Sequence, residues 1–226
     1  NTTADNNTAV GYHALRLNTT GVDNTAVGAF ALDANTTGND CVAVGKQALT
    51  DNTTGINNTA LGFQSLENNT TSNNNTAVGY ESMAANTTGH QNVAVGANAL
   101  DANTTGDLSV AIGYNSLGDN TTGGNNVAVG AGALLKNTTA SNNTAVGLSA
   151  LTSNTTGAEN TVSGQAAMSV NTTGSFNVAM GASALQQNTT ASNNTSIGYA
   201  SLVSNGTGGN NTAIGFAAGY ASSANG

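Results

Sequence analysis

Proline and tryptophan are absent from these 226 residues, and cysteine occurs once. Lysine and arginine together number three, and charged residues make up 6% of the chain. Each scarcity excludes something. A lone thiol, Cys41, rules out a disulfide within the chain. Three basic side chains cannot build a phosphate-binding surface, so nucleic acid is not an expected partner. No apolar run reaches the ~18 residues of a membrane-spanning helix, so no membrane insertion is expected in this segment. The lack of proline suits a backbone that needs every N–H in a ladder. No signal peptide or initiator methionine is evident, and the expectation is a piece of a longer protein.

What the chain does have is one 17-residue frame, N-T-T-G-x-x-N-T-A-V-G-x-x-A-L-x-x, repeated thirteen times over residues 1–221 without insertion or deletion. Residues 222–226 fall outside it and read as a tail or a transition to a further domain. A strict short period means stacked units, here a single repeat domain, and the 17 columns can be compared thirteen times within one molecule. Column 1 is always Asn and column 3 always Thr. Column 11 is always Gly: Gly11, Gly28, Gly45, Gly62, Gly79, Gly96, Gly113, Gly130, Gly147, Gly164, Gly181, Gly198 and Gly215. Column 10 is Val, Ile, Leu or Met except at Ser163, and column 15 is Leu or Met except at Gly219. All fourteen charged residues lie in the variable columns, which marks those columns as solvent-facing.

Seventeen residues are too few for a helical-hairpin repeat, which needs ~33. The T-A-V or V-A-V segment favours a strand, and the Gly after it favours a turn. Each unit therefore predicts one coil of an all-β parallel solenoid: a strand, a Gly turn, a second short strand at A-L, then the N-T-T-G turn. Coils ~4.8 Å apart give a rod roughly 60 Å long. Columns 10 and 15 are the expected core, with the Ala-rich columns 9 and 14 suited to close approach of another sheet or subunit. In this reading Met180 fills the gap left by Ser163, and the stack is weakest around residues 162–164. So thin a core suggests burial against other chains, hence an oligomer.

No catalytic constellation is present, so no enzyme activity, metal or cofactor is expected. Cys41 replaces a column 7 Asn, and His13 and His90 lie in other coils and another column. Two features remain. The first is an Asn-x-Thr sequon in every coil, at Asn1, Asn18, Asn35, Asn52, Asn69, Asn86, Asn103, Asn120, Asn137, Asn154, Asn171, Asn188 and Asn205. It reads either as dense N-glycosylation or as Asn and Thr ladders that stack from coil to coil. The ladder reading is preferred, because a glycan every ~4.8 Å is crowded. The second is an aromatic stripe in column 12: Tyr12, Phe63, Tyr80, Tyr114, Tyr199 and Phe216. It reads either as packing at a subunit seam or as a ridge contacting a receptor or glycan.

The units at residues 25–32, 42–49, 93–100 and 110–117 resemble the head repeats of YadA-like trimeric autotransporter adhesins. The whole frame, with its N-T-T-G linker, also resembles repeats of bacterial and phage tail-fibre-type proteins. The resemblance implies a homotrimer of left-handed parallel β-rolls, extracellular, at a cell surface or on a virion, that attaches to a cell-surface or matrix receptor or glycan. The coil here is longer than in those heads by its extra turn. Two other readings stay open: an ice-binding solenoid whose columns 1 and 3 form a flat Asn/Thr array, and a homopolymeric filament joined through exposed coil edges.

Overall fold

The computed structural model describes residues 3–220; Asn1 and the expected tail at residues 222–226 lie outside that range. The fold is an all-β parallel solenoid with thirteen strands, one per 17-residue coil, and no helix among the described residues. The chain divides into two compact units, Asn1–Ser109 and Val110–Gly226. In the first, β1 (Thr8–Val10), β2 (Thr25–Val27), β3 (Val42–Val44), β4 (Thr59–Leu61), β5 (Thr76–Val78) and β6 (Val93–Val95) pair in chain order, all parallel. In the second, β7 (Val110–Ile112), β8 (Val127–Val129), β9 (Thr144–Val146), β10 (Thr161–Ser163), β11 (Val178–Met180), β12 (Thr195–Ile197) and β13 (Thr212–Ile214) do the same. Every pairing joins residues 17 apart, as Ala43 with Ala60.

Each strand ends at the column 11 Gly. Its φ lies between +126° at Gly181 and +145° at Gly164, a region that L side chains rarely adopt. Space forbids a side chain as well: a Cβ on Gly28 would lie 2.4 Å from the carbonyl oxygen of Gly45.

The expected second strand does not form. Columns 13 and 15 both have positive φ, as at Gln47 (59°) and Leu49 (53°), so the A-L segment is a turn and not extended chain. Column 6 is a third position of this kind, as at Asp40 (56°). Three residues per coil thus sit in the left-handed region, all non-glycine except Gly132 and Gly219, and each non-glycine costs on the order of 1–2 kcal/mol. Hydrogen bonds to both neighbouring coils hold the turn: Gln47 N–H donates to Ala29 O at 2.9 Å, and Leu49 N–H to Ser65 O at 3.0 Å.

The interior corrects the expected core. Side chains alternate along the strand, so columns 7 and 9 point inward and columns 8 and 10 outward. Column 15 is buried from Leu15 to Leu202, fully so at Leu32, Leu66 and Leu134, each of these side chains contributing roughly 1.5–3 kcal/mol. Column 10 is not in the core: Leu61 is 45% exposed and Ile112 40%. Columns 9 and 14 face no second sheet or subunit. Ala43, Ala48, Ala94 and Ala99 pack inside their own chain with no exposed surface. In most coils one large apolar side chain fills the interior, the Leu or Met of column 15; the tenth coil buries Val162 as well as Met168. Ser163 therefore leaves no gap for Met180 to fill. Met180 is 43% exposed, and Val162 beside it is fully buried, so the expected weak point has no structural basis.

The other half of the interior is amide. The column 1 Asn residues are buried and stacked: Asn52 Nδ2 donates to Asn35 Oδ1 at 2.9 Å and to Gly55 O at 3.0 Å, and its own Oδ1 accepts from Asn69 Nδ2 at 2.9 Å. The second unit repeats the ladder from Asn120 through Asn188. Column 7 makes another: Asn75 N–H donates to Asn58 Oδ1 at 3.0 Å, and Asn75 Nδ2 to Gly89 O at 2.8 Å. Burying a primary amide without partners costs several kcal/mol, and the repeat supplies the partners at a fixed offset.

Candidate functional site

The chemistry-bearing side chains are dispersed. Among the described residues no three His, Cys, Asp or Glu side chains come together to hold a metal. His90 is a rung of an outer ladder in column 5: its Nδ1 accepts from Asn73 N–H at 3.0 Å, and its own N–H donates to Asp107 Oδ1 at 2.6 Å. Arg16 pairs with Asp33 at 2.8 Å and Lys136 with Asp119 at 3.3 Å, both at the surface rim. Cys41 is buried in the column 7 ladder, its N–H donating to Asn24 Oδ1 at 3.0 Å and its Sγ 3.4 Å from Gly55 O. Burial pushes the thiol from an ordinary 9.0 up to about 11, against the backbone N–H groups of Asn58 and Asn57, which favour the thiolate. It is not a nucleophile near neutral pH.

The feature that stands out is the outward face of the strands. Columns 8 and 10 project from it, so each coil presents Thr or Val beside Val, Ile, Leu or Met, except the tenth, where column 10 is Ser163. In the first unit the column 10 row runs Val10, Val27, Val44, Leu61, Val78 and Val95. In the second it runs Ile112, Val129, Val146, Ser163, Met180, Ile197 and Ile214. A three-residue strand in a parallel sheet offers ~50 Å² of face per coil, so seven coils give ~350 Å².

The column 12 aromatics border this face. Tyr12, Tyr80, Tyr114, Tyr199 and Phe216 are exposed, and Phe63 is half-buried. Where aromatics are adjacent they stack on one another: Phe63 and Tyr80 at 5.4 Å between ring centroids, Tyr199 and Phe216 at 5.5 Å. The Lys46 ammonium lies 5.7 Å from the Phe63 ring centre. Rings that face each other along the stack present edges outward, which suits packing against another surface more than stacking on a sugar ring. Tyr12 and Tyr114 have no partner in column 12 of the next coil, which holds Ala29 and Ala131; Tyr12 instead stacks on His13 at 3.9 Å and meets Phe30 edge-on at 5.4 Å.

The two sequon columns part company. In every described coil the column 1 Asn is buried, from Asn18 at 1% exposure to Asn205 at 2%. The column 3 Thr is exposed throughout, and no hydroxyl of Thr20, Thr37, Thr54 or Thr156 has a protein partner. Columns 1 and 3 therefore form no common flat array. The Thr of column 2 is the one that bonds up the stack, as Thr36 Oγ1 to Thr53 O at 3.0 Å.

The outward row of column 10 was missed from sequence because large apolar side chains were assigned inward. The available signal was the parity of the strand: column 9, almost always Ala, fits only a narrow interior, and that sends 8 and 10 outward. No protein-family model, no curated protein and no solved structure matches this chain.

Proposed function

We propose that this chain is a structural and adhesive segment of an extracellular fibre, assembled from identical copies that cover one another's Thr/Val face. The observation that carries the reading is the outward apolar row of column 10, which runs from half-buried to exposed. The interior of each unit is built within one chain, with its Leu side chains buried and its Asn side chains laddered, save for Asn188 Oδ1 and Asn194 Nδ2, which have no partner, so this row lies outside that packing. A second and third copy carry the same row at the same spacing, and closed symmetry buries like against like. The arrangement is a homotrimer of left-handed rolls, in keeping with the resemblance of the repeats to adhesin heads and tail fibres. The variable outer columns then remain for weak contacts with a cell-surface or matrix receptor or glycan, summed over many coils.

Light scattering on the eluted protein tests assembly directly. The expected mass is three times 22.0 kDa. A mass of 22.0 kDa overturns it, and a very large species supports the filament reading.

One observation favours a second reading. Thr of column 8 and Val of column 10 form two regular rows on a sheet face, which is the flat geometry an ice-binding surface requires; columns 1 and 3 do not provide it. Thermal hysteresis from a 22.0 kDa monomer would support that reading.

A further inference from the structure

Every coil carries Asn-x-Thr, the acceptor of N-linked glycans, and the fold places its two ends in opposite environments. The Thr is outside with a free hydroxyl. The Asn is inside with both amide protons committed: Asn35 Nδ2 donates to Asn18 Oδ1 at 2.8 Å and to Gly38 O at 3.0 Å. Glycosylation forms a bond from Nδ2 to sugar C1, breaks the C1–O bond to the phosphate of a lipid-pyrophosphate or nucleotide-sugar donor, and releases one amide proton. Either committed proton, if lost, removes a rung of the ladder or the turn's own hydrogen bond. No room exists for the sugar, since a mere Cβ on Gly38 would meet Asn35 Oδ1 at 2.5 Å, and no cavity is found among the described residues.

We infer that folding and glycosylation of column 1 are mutually exclusive: a coil that closes first can no longer be modified, and a coil modified first cannot close. The folded protein therefore comes from a biosynthetic route in which Asn-x-Thr is not glycosylated ahead of folding. A second set of sequons differs. Asn6, Asn57, Asn74, Asn142, Asn193 and Asn210 in column 6 each stand two residues before the column 8 Thr, and all six are exposed. Asn68 is exposed in the same way, two before Thr70. These are the only positions of the folded, described chain that an Asn-glycosylating enzyme can reach.

Two arms test the inference. In the first, folded protein from a non-glycosylating host is treated with a soluble asparagine N-glycosyltransferase and a nucleotide sugar, and occupancy is mapped by peptide mass spectrometry. Sugar is expected only at the column 6 sites and Asn68, with none from Asn18 to Asn205 in column 1, whereas denatured chain is modified at both. Equal occupancy of column 1 in folded and denatured protein overturns the inference. In the second, the chain is translated with oligosaccharyltransferase-bearing membranes. The glycosylated product is expected to lose protease resistance, and Thr→Val throughout column 3, which removes the acceptor and no hydrogen bond, restores it. A chain glycosylated in column 1 that keeps native protease resistance overturns it equally. Neither arm depends on whether the protein is a trimer.

Discussion

Column 15 never holds isoleucine or valine, although column 10 takes Val and Ile freely in the same chain. Columns 6 and 13 avoid β-branched residues as well. All three have positive φ, where a branched Cβ collides with its own backbone. The exclusion was visible in the sequence and separates the buried Leu column from the exposed Val column, which bare hydrophobicity does not. Leu100→Ile, equal in volume, is expected to destabilise by about 3 kcal/mol in chemical denaturation, combining left-handed strain with shape change. Val95→Ile in column 10 is expected to stay within about 0.5 kcal/mol. Equal costs for the two would refute the assignment of strain. Cys41 is a second residue-scale case. It occupies an Asn rung, and sulfur is a weak acceptor for the Asn58 N–H. Cys41→Asn should add about 1 kcal/mol. The raised pKa fixes the sign of a pH effect. Above 9.0 the unfolded thiol ionises while the folded one stays protonated to about 11, so stability falls across that window, by roughly 2 kcal/mol. Urea titrations at pH 8 and pH 11 should show this loss in the natural chain and not in Cys41→Asn, once the common alkaline effect is subtracted.

At the scale of the coil, period, strand and Gly turn were all legible, because each fixed column recorded one demand of the backbone. The N-T-T-G turn was legible as a ladder, but its placement inside was not. Asn is ordinarily a surface residue, and only the repeat itself supplies the neighbours that satisfy it when buried. The A-L segment was misread as a strand because its composition favours neither state, and its hydrogen bonds run alternately to the coil before and the coil after. The ladder makes a sharp contrast available within one turn. Asn154 donates to Asn137 Oδ1 and Gly157 O and accepts from Asn171 Nδ2. Asn154→Ala strands these three buried partners and should cost ~3–5 kcal/mol. Thr156, two residues on, is exposed and its hydroxyl makes no hydrogen bond, so Thr156→Val should be nearly neutral. Thermal denaturation of both variants decides the point, and a mild Asn154→Ala would mean that water replaces the rung.

At the scale of the whole molecule, the thinness of the core suggested assembly through columns 9 and 14; these are buried within their own chain, and the face proposed to meet other copies is that of columns 8 and 10. The row in columns 8 and 10 now gives a specific disruption. Val44→Lys with Val78→Lys places two charges on the outward face of the first unit without entering the interior. The expected result is a fall in mass from three times 22.0 kDa toward 22.0 kDa with the β-sheet circular dichroism retained. A trimer that survives both charges would move the seam elsewhere. The constant 17-residue register has one more consequence, which concerns inheritance. No described rung specifies which coil it belongs to: each asks only that its counterpart lie 17 residues away. Unequal recombination between repeats, which inserts or removes a whole number of frames, therefore passes through folding unopposed, while a change of one residue shifts every later column off its face. Selection on such a gene acts on the number of coils almost independently of their sequence, so that length becomes a trait able to drift quickly between closely related lineages while the cross-section stays the same.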